Sequence, residues 1–119
     1  RVSDDELISL YRRAWTVAST SVREGWGMTI TEAAACGTPA VATRIAGHSD
    51  AIHEGHSGLL GETDDELVGQ LRSVLTDTDL RARLQRGALD RAGRLTWEAT
   101  ALGTFEVLAA DARRRRHRR

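Results

Sequence analysis

Two carboxylates with seven residues between them stand in the segment Arg23-Glu24-Gly25-Trp26-Gly27-Met28-Thr29-Ile30-Thr31-Glu32. An ionised carboxylate accepts charge-assisted hydrogen bonds, so each acid suits a hydroxyl group. Between them, Gly25 and Gly27 let the backbone turn sharply and come close to a bound group. From Met28 the residue order predicts a helix through Cys36, stopped by Gly37. The mouth of such a helix offers unpaired N–H groups and a partial positive charge, a natural seat for phosphate or diphosphate. The acids would repel the phosphate itself but would hold hydroxyls on either side of it. With Glu24 in the loop and Glu32 one turn into the helix, both acids can face one cleft. The pattern calls for a ligand such as a nucleoside diphosphate sugar.

The elements that must position this segment follow from local signals. Ser3-Asp4-Asp5-Glu6 is a capping box opening a helix with Leu7, Leu10, Tyr11 and Ala14 on one face. Trp15 to Ser19 is rich in β-formers and reads as a strand, followed by a loop from Ser21 to Gly27. Pro39 starts a second strand, Ala40 to Thr43, where its missing N–H does least harm. Gly47 to Gly58 reads as loop, with one helical turn at Asp50 to His53, and Gly58-Leu59-Leu60 as a third strand. A second capping box at Thr63 to Glu66 opens a helix bearing Leu67, Val68, Leu71, Val74 and Leu75 on one face. Another helix spans Asp79 to Arg91, with Leu80, Leu84 and Ala88 four apart. Thr96 caps a last helix with the stripe Trp97, Ala101, Phe105, Leu108 and Ala112. Short apolar strands alternating with helices predict a parallel α/β sheet, Rossmann-like and doubly wound. Three strands make about half of such a domain. In that architecture ligands sit at the carboxyl ends of the strands, where the loop carrying Glu24 lies.

Composition bounds the rest. The chain has 119 residues, 40% hydrophobic and 29% charged, enough for one small domain and too few for a two-domain enzyme. Its longest apolar runs are four residues, far short of the ~20 that a membrane-spanning helix needs. No signal-peptide pattern opens the chain. A single cysteine, Cys36, excludes an internal disulfide and fits a reducing, cytoplasmic setting. Set among alanines before the helix stop, Cys36 is expected to be buried and inert. The four His have no compact ligand spacing, so no metal site is expected. All 17 basic residues are Arg, and six of them lie within 113–119. Residues 1–112 carry 11 Arg against 17 Asp and Glu, a net charge of −6. An acidic body (1–112) and a basic tail (113–119) are therefore read separately.

The Glu24-to-Glu32 segment, followed by Ala33-Ala34-Ala35-Cys36-Gly37-Thr38-Pro39, resembles the signature of the retaining group 1 glycosyltransferases of GT-B fold. The similarity extends to Ser3-Asp4-Asp5-Glu6-Leu7, Ala40-Val41-Ala42-Thr43, Gly55-His56-Ser57-Gly58-Leu59-Leu60 and Thr96-Trp97-Glu98, about Ser3 to Phe105 in all. It implies the second half of a nucleotide-sugar-binding domain. It also implies transfer of a hexose-type sugar to an acceptor hydroxyl with retention, no obligatory metal and no other cofactor. By the same resemblance Glu24 would be the catalytic residue, binding hydroxyls of the donor sugar. Gly25 would belong to the donor-binding turn, Trp26 would line the sugar pocket, the amides of Gly27, Met28 and Thr29 would meet the diphosphate, and Glu32 would hold the ribose. One departure is Ala46-Gly47-His48-Ser49-Asp50, where the family has Gly-Gly, two residues, then Glu. The family's upstream basic clamp and its acceptor domain are absent, so this chain is expected to be part of a longer enzyme and inactive alone.

Other expectations attach to the remaining features. Trp15 and Trp97 read as packing residues. Arg23 and Arg44 lie near the strand ends, where a cation can assist a phosphate. The strand from Trp15 to Ser19 would be a raw sheet edge, which predicts self-association. The Arg tail allows contact with an anionic membrane; it lacks interleaved aromatics, so no nucleic-acid partner is expected. The rival reading is a non-catalytic nucleotide- or partner-binding module of the same fold.

Overall fold

Ser3 caps the first helix as the residue order predicts: its side chain accepts from the Glu6 N–H while the Glu6 carboxylate accepts from the Ser3 N–H at 2.9 Å. A computed structural model describes residues 2–116. Its elements run α1 (Asp4–Arg13), β1 (Val17–Ser19), α2 (Met28–Ala35), β2 (Ala40–Thr43), α3 (Ala46–Ala51), β3 (Gly58–Gly61), α4 (Asp64–Thr76), α5 (Thr78–Gly93) and α6 (Trp97–Arg116). The three strands form one parallel sheet in the order β1-β2-β3, with Ala18 beside Val41 and Val41 beside Leu59. This is the Rossmann-like α/β half-sheet expected from the sequence.

Strand periodicity sorts the core into two layers. Ala40, Ala42 and Leu60 point to one face and cluster with Ile30 of α2 and with Ala51 and Ile52. Val41 points to the other and clusters with Leu67 and Val74 of α4 and Leu84 of α5. Ala33 and Ala34 are buried, so α2 sits close to the sheet. Gly37 ends that helix with φ of +81°, a left-handed conformation glycine adopts without strain.

The structure corrects several of these readings. The first strand begins at Val17, not Trp15, because pairing starts where the Val17 N–H meets the Pro39 carbonyl at 2.9 Å. Trp15 is over half exposed, and the Arg81 guanidinium stacks 4.3 Å from its ring centroid. Residues 46–51, read mostly as loop, form α3, because tertiary packing that buries Gly47, His48 and Ala51 overrides their weak helix propensity. In α4 only Leu67 and Val74 are buried, where the helix packs on β2, β3 and α5; Val68 and Leu75 fall outside that contact and are exposed. The stripe on α6 joins no core: Trp97, Phe105 and Leu108 are all more than 60% exposed. Among the described residues the stripe has the period of a helix face and nothing covers it. Cys36, expected to be buried, is half-buried and free.

α6 runs without a break through Arg113–Arg116, and Asp111 pairs with Arg115 at 2.7 Å. The expectation for the basic tail therefore concerns its last helical turn, and its final residues, 117–119, lie outside the described residues. No helix among the described residues is long and apolar enough to cross a membrane.

Candidate functional site

The loop after β1 descends to Gly27, which takes φ of +77° and ψ of +54° and starts α2 with no side-chain cap. The Gly27 carbonyl accepts from Ile30 and Thr31, but the Met28 and Thr29 amides have no hydrogen-bond partner among the described residues. This helix mouth lies at the carboxyl end of β1, with free donors and its dipole's positive end. Such an arrangement can receive an anionic oxygen.

Beneath the loop, α3 supplies the seat. A Cβ built on Gly47 would lie 2.5 Å from the Glu24 carbonyl oxygen, so only glycine admits this approach. The next residue, His48, is wholly buried, and a Cβ on Gly27 would lie 3.3 Å from its Cδ2. Thr43, at the end of β2, donates its hydroxyl to the Ser21 carbonyl at the start of the loop.

The predicted site residues divide as follows. Trp26, Met28 and Glu32 line an open groove of about 620 Å³, closed on its far side by Ala92, Leu95 and Trp97. Glu24 and Gly25 are exposed on the loop and do not line this groove. A second cleft, about 460 Å³, lies at the strand ends between Ser21, Val22, Thr43, Arg44 and Glu62. Arg44 is held there by Glu54 at 3.0 Å and Glu62 at 3.3 Å. Arg23 is exposed on the loop, with no ion pair or hydrogen bond among the described residues.

Residue order alone did not single out two neighbours of the site. Tyr11 of α1 donates its hydroxyl to Glu32 Oε2 at 3.2 Å, which orients one of the two acids. Burial raises the Tyr11 pKa, and the adjacent Glu32 carboxylate raises it further. These residues are 21 positions apart, and Tyr11 otherwise reads as part of an apolar stripe. His48 stands in the departure segment 46–50, with no local sign that its ring would be enclosed.

Elsewhere, the His53 and His56 rings meet tilted with centroids 5.3 Å apart, and His56 meets Asp90 at 3.4 Å. Among the described residues no group of three His, Cys, Asp or Glu is placed to hold a metal ion.

A parallel half-sheet, with a glycine-jointed loop feeding an uncapped helix at its carboxyl edge, defines an α/β module of the GT-B kind. Residues 1–91 match the family described as glycosyl transferases group 1, and the chain belongs to that family. It is 43% identical over 98 residues to a D-inositol 3-phosphate glycosyltransferase of Stackebrandtia nassauensis, covering 81% of this chain and 22% of that protein. The corresponding protein of Corynebacterium urealyticum is 42% identical over 105 residues, 87% of this chain and 25% of its own length. Among solved structures, sucrose-phosphate synthase from Thermosynechococcus elongatus superposes with a TM-score of 0.73 at 25% identity, over 92% of this chain and 28% of that one. Anabaena HepE in complex with UDP-glucose gives a TM-score of 0.73 at 27% identity, over 88% and 30%. The chain thus spans about a quarter of the length of the curated relatives it matches.

Proposed function

We propose that this chain is the donor-side part of a glycosyltransferase that moves a sugar from a nucleoside diphosphate to an acceptor hydroxyl with retention. The observation that carries the reading is the bare mouth of α2: two unpartnered amides, Met28 and Thr29, at a left-handed Gly27, with an acid on the loop before it and another one turn beyond. Two free amides and a helix dipole stabilise a leaving diphosphate as its charge develops. Glu24, with Gly25 and Trp26, holds the transferred sugar, and Glu32, oriented by Tyr11, takes the ribose hydroxyls. HepE, a structural relative, binds UDP-glucose, which supports a donor of the same chemical class. Residues 1–112 form the donor-binding part, and an acceptor domain outside this chain completes the enzyme in the cytoplasm without an obligatory metal.

The test uses the full-length gene product that carries this sequence. Glu32→Ala should weaken UDP binding about tenfold through loss of charge-assisted hydrogen bonds. Glu24→Gln should abolish sugar transfer while UDP still binds. Undiminished transfer in both variants would overturn these roles. Binding of UDP-sugars with no turnover in the wild type would assign the non-catalytic role instead.

A further inference from the structure

We infer that His48 is the positioning residue of the donor loop, a buried imidazole that ties the ends of β1 and β2 together and walls the bend at Gly27. Its consequence for ligand binding rests on the donor reading above; its structural content does not.

The ring is 0% exposed, beside the apolar cluster of Ile30, Ala40, Ala42, Ala51, Ile52 and Leu60. An imidazole so placed must have both nitrogens satisfied. Nδ1 lies 2.8 Å from the Thr43 carbonyl oxygen, which can only accept, so Nδ1 carries the proton. Nε2 is then an acceptor, and the Ser19 hydroxyl, 3.1 Å away, donates to it. The Thr43 hydroxyl lies 3.2 Å from Nδ1, takes a longer share of the same proton and donates its own to the Ser21 carbonyl. One ring thereby joins the last residue of β1, the last residue of β2 and the first turn of the loop.

The carbon edge of that ring acts on the bend itself. Cδ2 and the Ile30 side chain stand together against Gly27, each 3.3 Å from where a Cβ would be. The left-handed backbone of Gly27 is what aims the Met28 and Thr29 amides outward, and His48 is the wall against which it is set. The two consecutive residues act in different ways. Gly47 lets the Glu24 peptide come down onto α3, and His48 holds the strand ends on which the loop rests. A leucine would fill the space but would leave the Ser19 hydroxyl without its acceptor in a part-buried site. The Thr43 carbonyl would keep its bond from the Ile45 N–H, so the loss falls on the β1 side, where the loop begins.

The experiment compares four variants of the full-length gene product with the wild type: His48→Leu, His48→Asn, Ser19→Ala and Val74→Ala. Asparagine keeps an N–H where Nδ1 stood and so retains the Thr43 link, while losing Ser19 and the wall at Gly27. Val74→Ala is the control, because it opens a comparable buried site on the opposite face of the sheet. Hydrogen exchange is read over residues 22–31, and affinity for UDP and UDP-glucose is read by calorimetry. His48→Leu should speed exchange in that segment beyond any change elsewhere and weaken UDP about tenfold, the scale on which small misplacements act. His48→Asn, which loses both the Ser19 link and the wall at Gly27, should loosen the segment at least as much as His48→Leu, and Ser19→Ala should fall between the leucine variant and wild type. They carry the test if the leucine variant does not fold. Val74→Ala should lower overall stability with segment 22–31 and UDP affinity unchanged.

Wild-type exchange over 22–31 in the His48 variants, or equal local loosening in Val74→Ala, would overturn the inference. Failure of the wild type to bind either nucleotide would overturn the donor reading alone, and the exchange data would still decide the role of His48.

Discussion

Gly47 lies so close under the Glu24 peptide that a methyl group on it would meet the Glu24 carbonyl oxygen at 2.5 Å and the carbonyl carbon at 2.9 Å. Both partners are backbone, so neither can swing aside as a side chain would. Gly47→Ala must therefore push the loop off α3 or displace the helix. Overpacking of this kind destabilises by about 1–3 kcal/mol. The denaturant midpoint should fall accordingly, and UDP affinity should fall with it, because the displaced loop leads to the α2 mouth. An unchanged midpoint would show that the loop does not rest on α3.

Two glycines in neighbouring helices should respond to alanine with opposite signs. Gly87 of α5 approaches the loop before β3 so closely that a Cβ would overlap the His56 carbonyl group. Gly87→Ala should destabilise by about 3 kcal/mol, at the upper end for overpacking. Gly69 of α4 has nothing within 4 Å of its Cβ position. There the helix loses a flexible residue without a clash, and Gly69→Ala should stabilise by about 0.5–1 kcal/mol. Thermal or urea unfolding of the two variants checks both, and like signs would contradict the packing of α5 on that loop.

The contrast between these glycines also marks what can be read from residue order. Caps are visible because Ser3, Thr63 and Thr96 sit where a helix start needs an acceptor, and each does accept there, from Glu6, Glu66 and Ala99. The three strands follow from short apolar runs between helices. The loop from Glu24 to Gly27 and the helix start at Met28 are equally visible, since glycine punctuation is local. What requires the fold is every contact between elements distant in sequence: Tyr11 meeting Glu32, His48 closing on Gly27, and Gly87 lying against His56. Capping detail is also lost, since Glu66 reaches the Glu62 N–H at 2.7 Å and does not complete the box with Thr63. Periodicity reports which face of a helix is apolar, and it carries no information about whether a partner covers that face.

Tyr11 offers a titration that isolates the α1–α2 contact. The sequence has one Tyr, so tyrosinate absorbance near 295 nm reads it directly in this chain. Burial first, and then the Glu32 carboxylate, hold its pKa above the ordinary phenol value. The folded form binds the phenol proton more tightly than the unfolded form does. Its contribution to stability is therefore complete below the ordinary phenol pKa and is lost as pH rises through the raised one. Glu32→Gln should bring the absorbance midpoint down part of the way, since the larger cause, burial, remains. A midpoint that Glu32→Gln leaves in place would remove Tyr11 as the group that orients this acid.

Leu84 and Phe105 put the exposed stripe of α6 to a direct test. Leu84 is 0% exposed, between the sheet and α4, whereas Phe105 is 69% exposed. Truncating a buried leucine removes its transfer energy and leaves a cavity, so Leu84→Ala should destabilise this chain by about 2–5 kcal/mol. Phe105 gives up little packing in the chain by itself, and Phe105→Ala should stay within about 0.5 kcal/mol. Chemical denaturation of the 119-residue chain measures both. A loss for Phe105→Ala as large as that for Leu84→Ala would mean that α6 folds back over apolar surface after all, and that the periodicity of Trp97, Phe105 and Leu108 is that of a core helix within this chain.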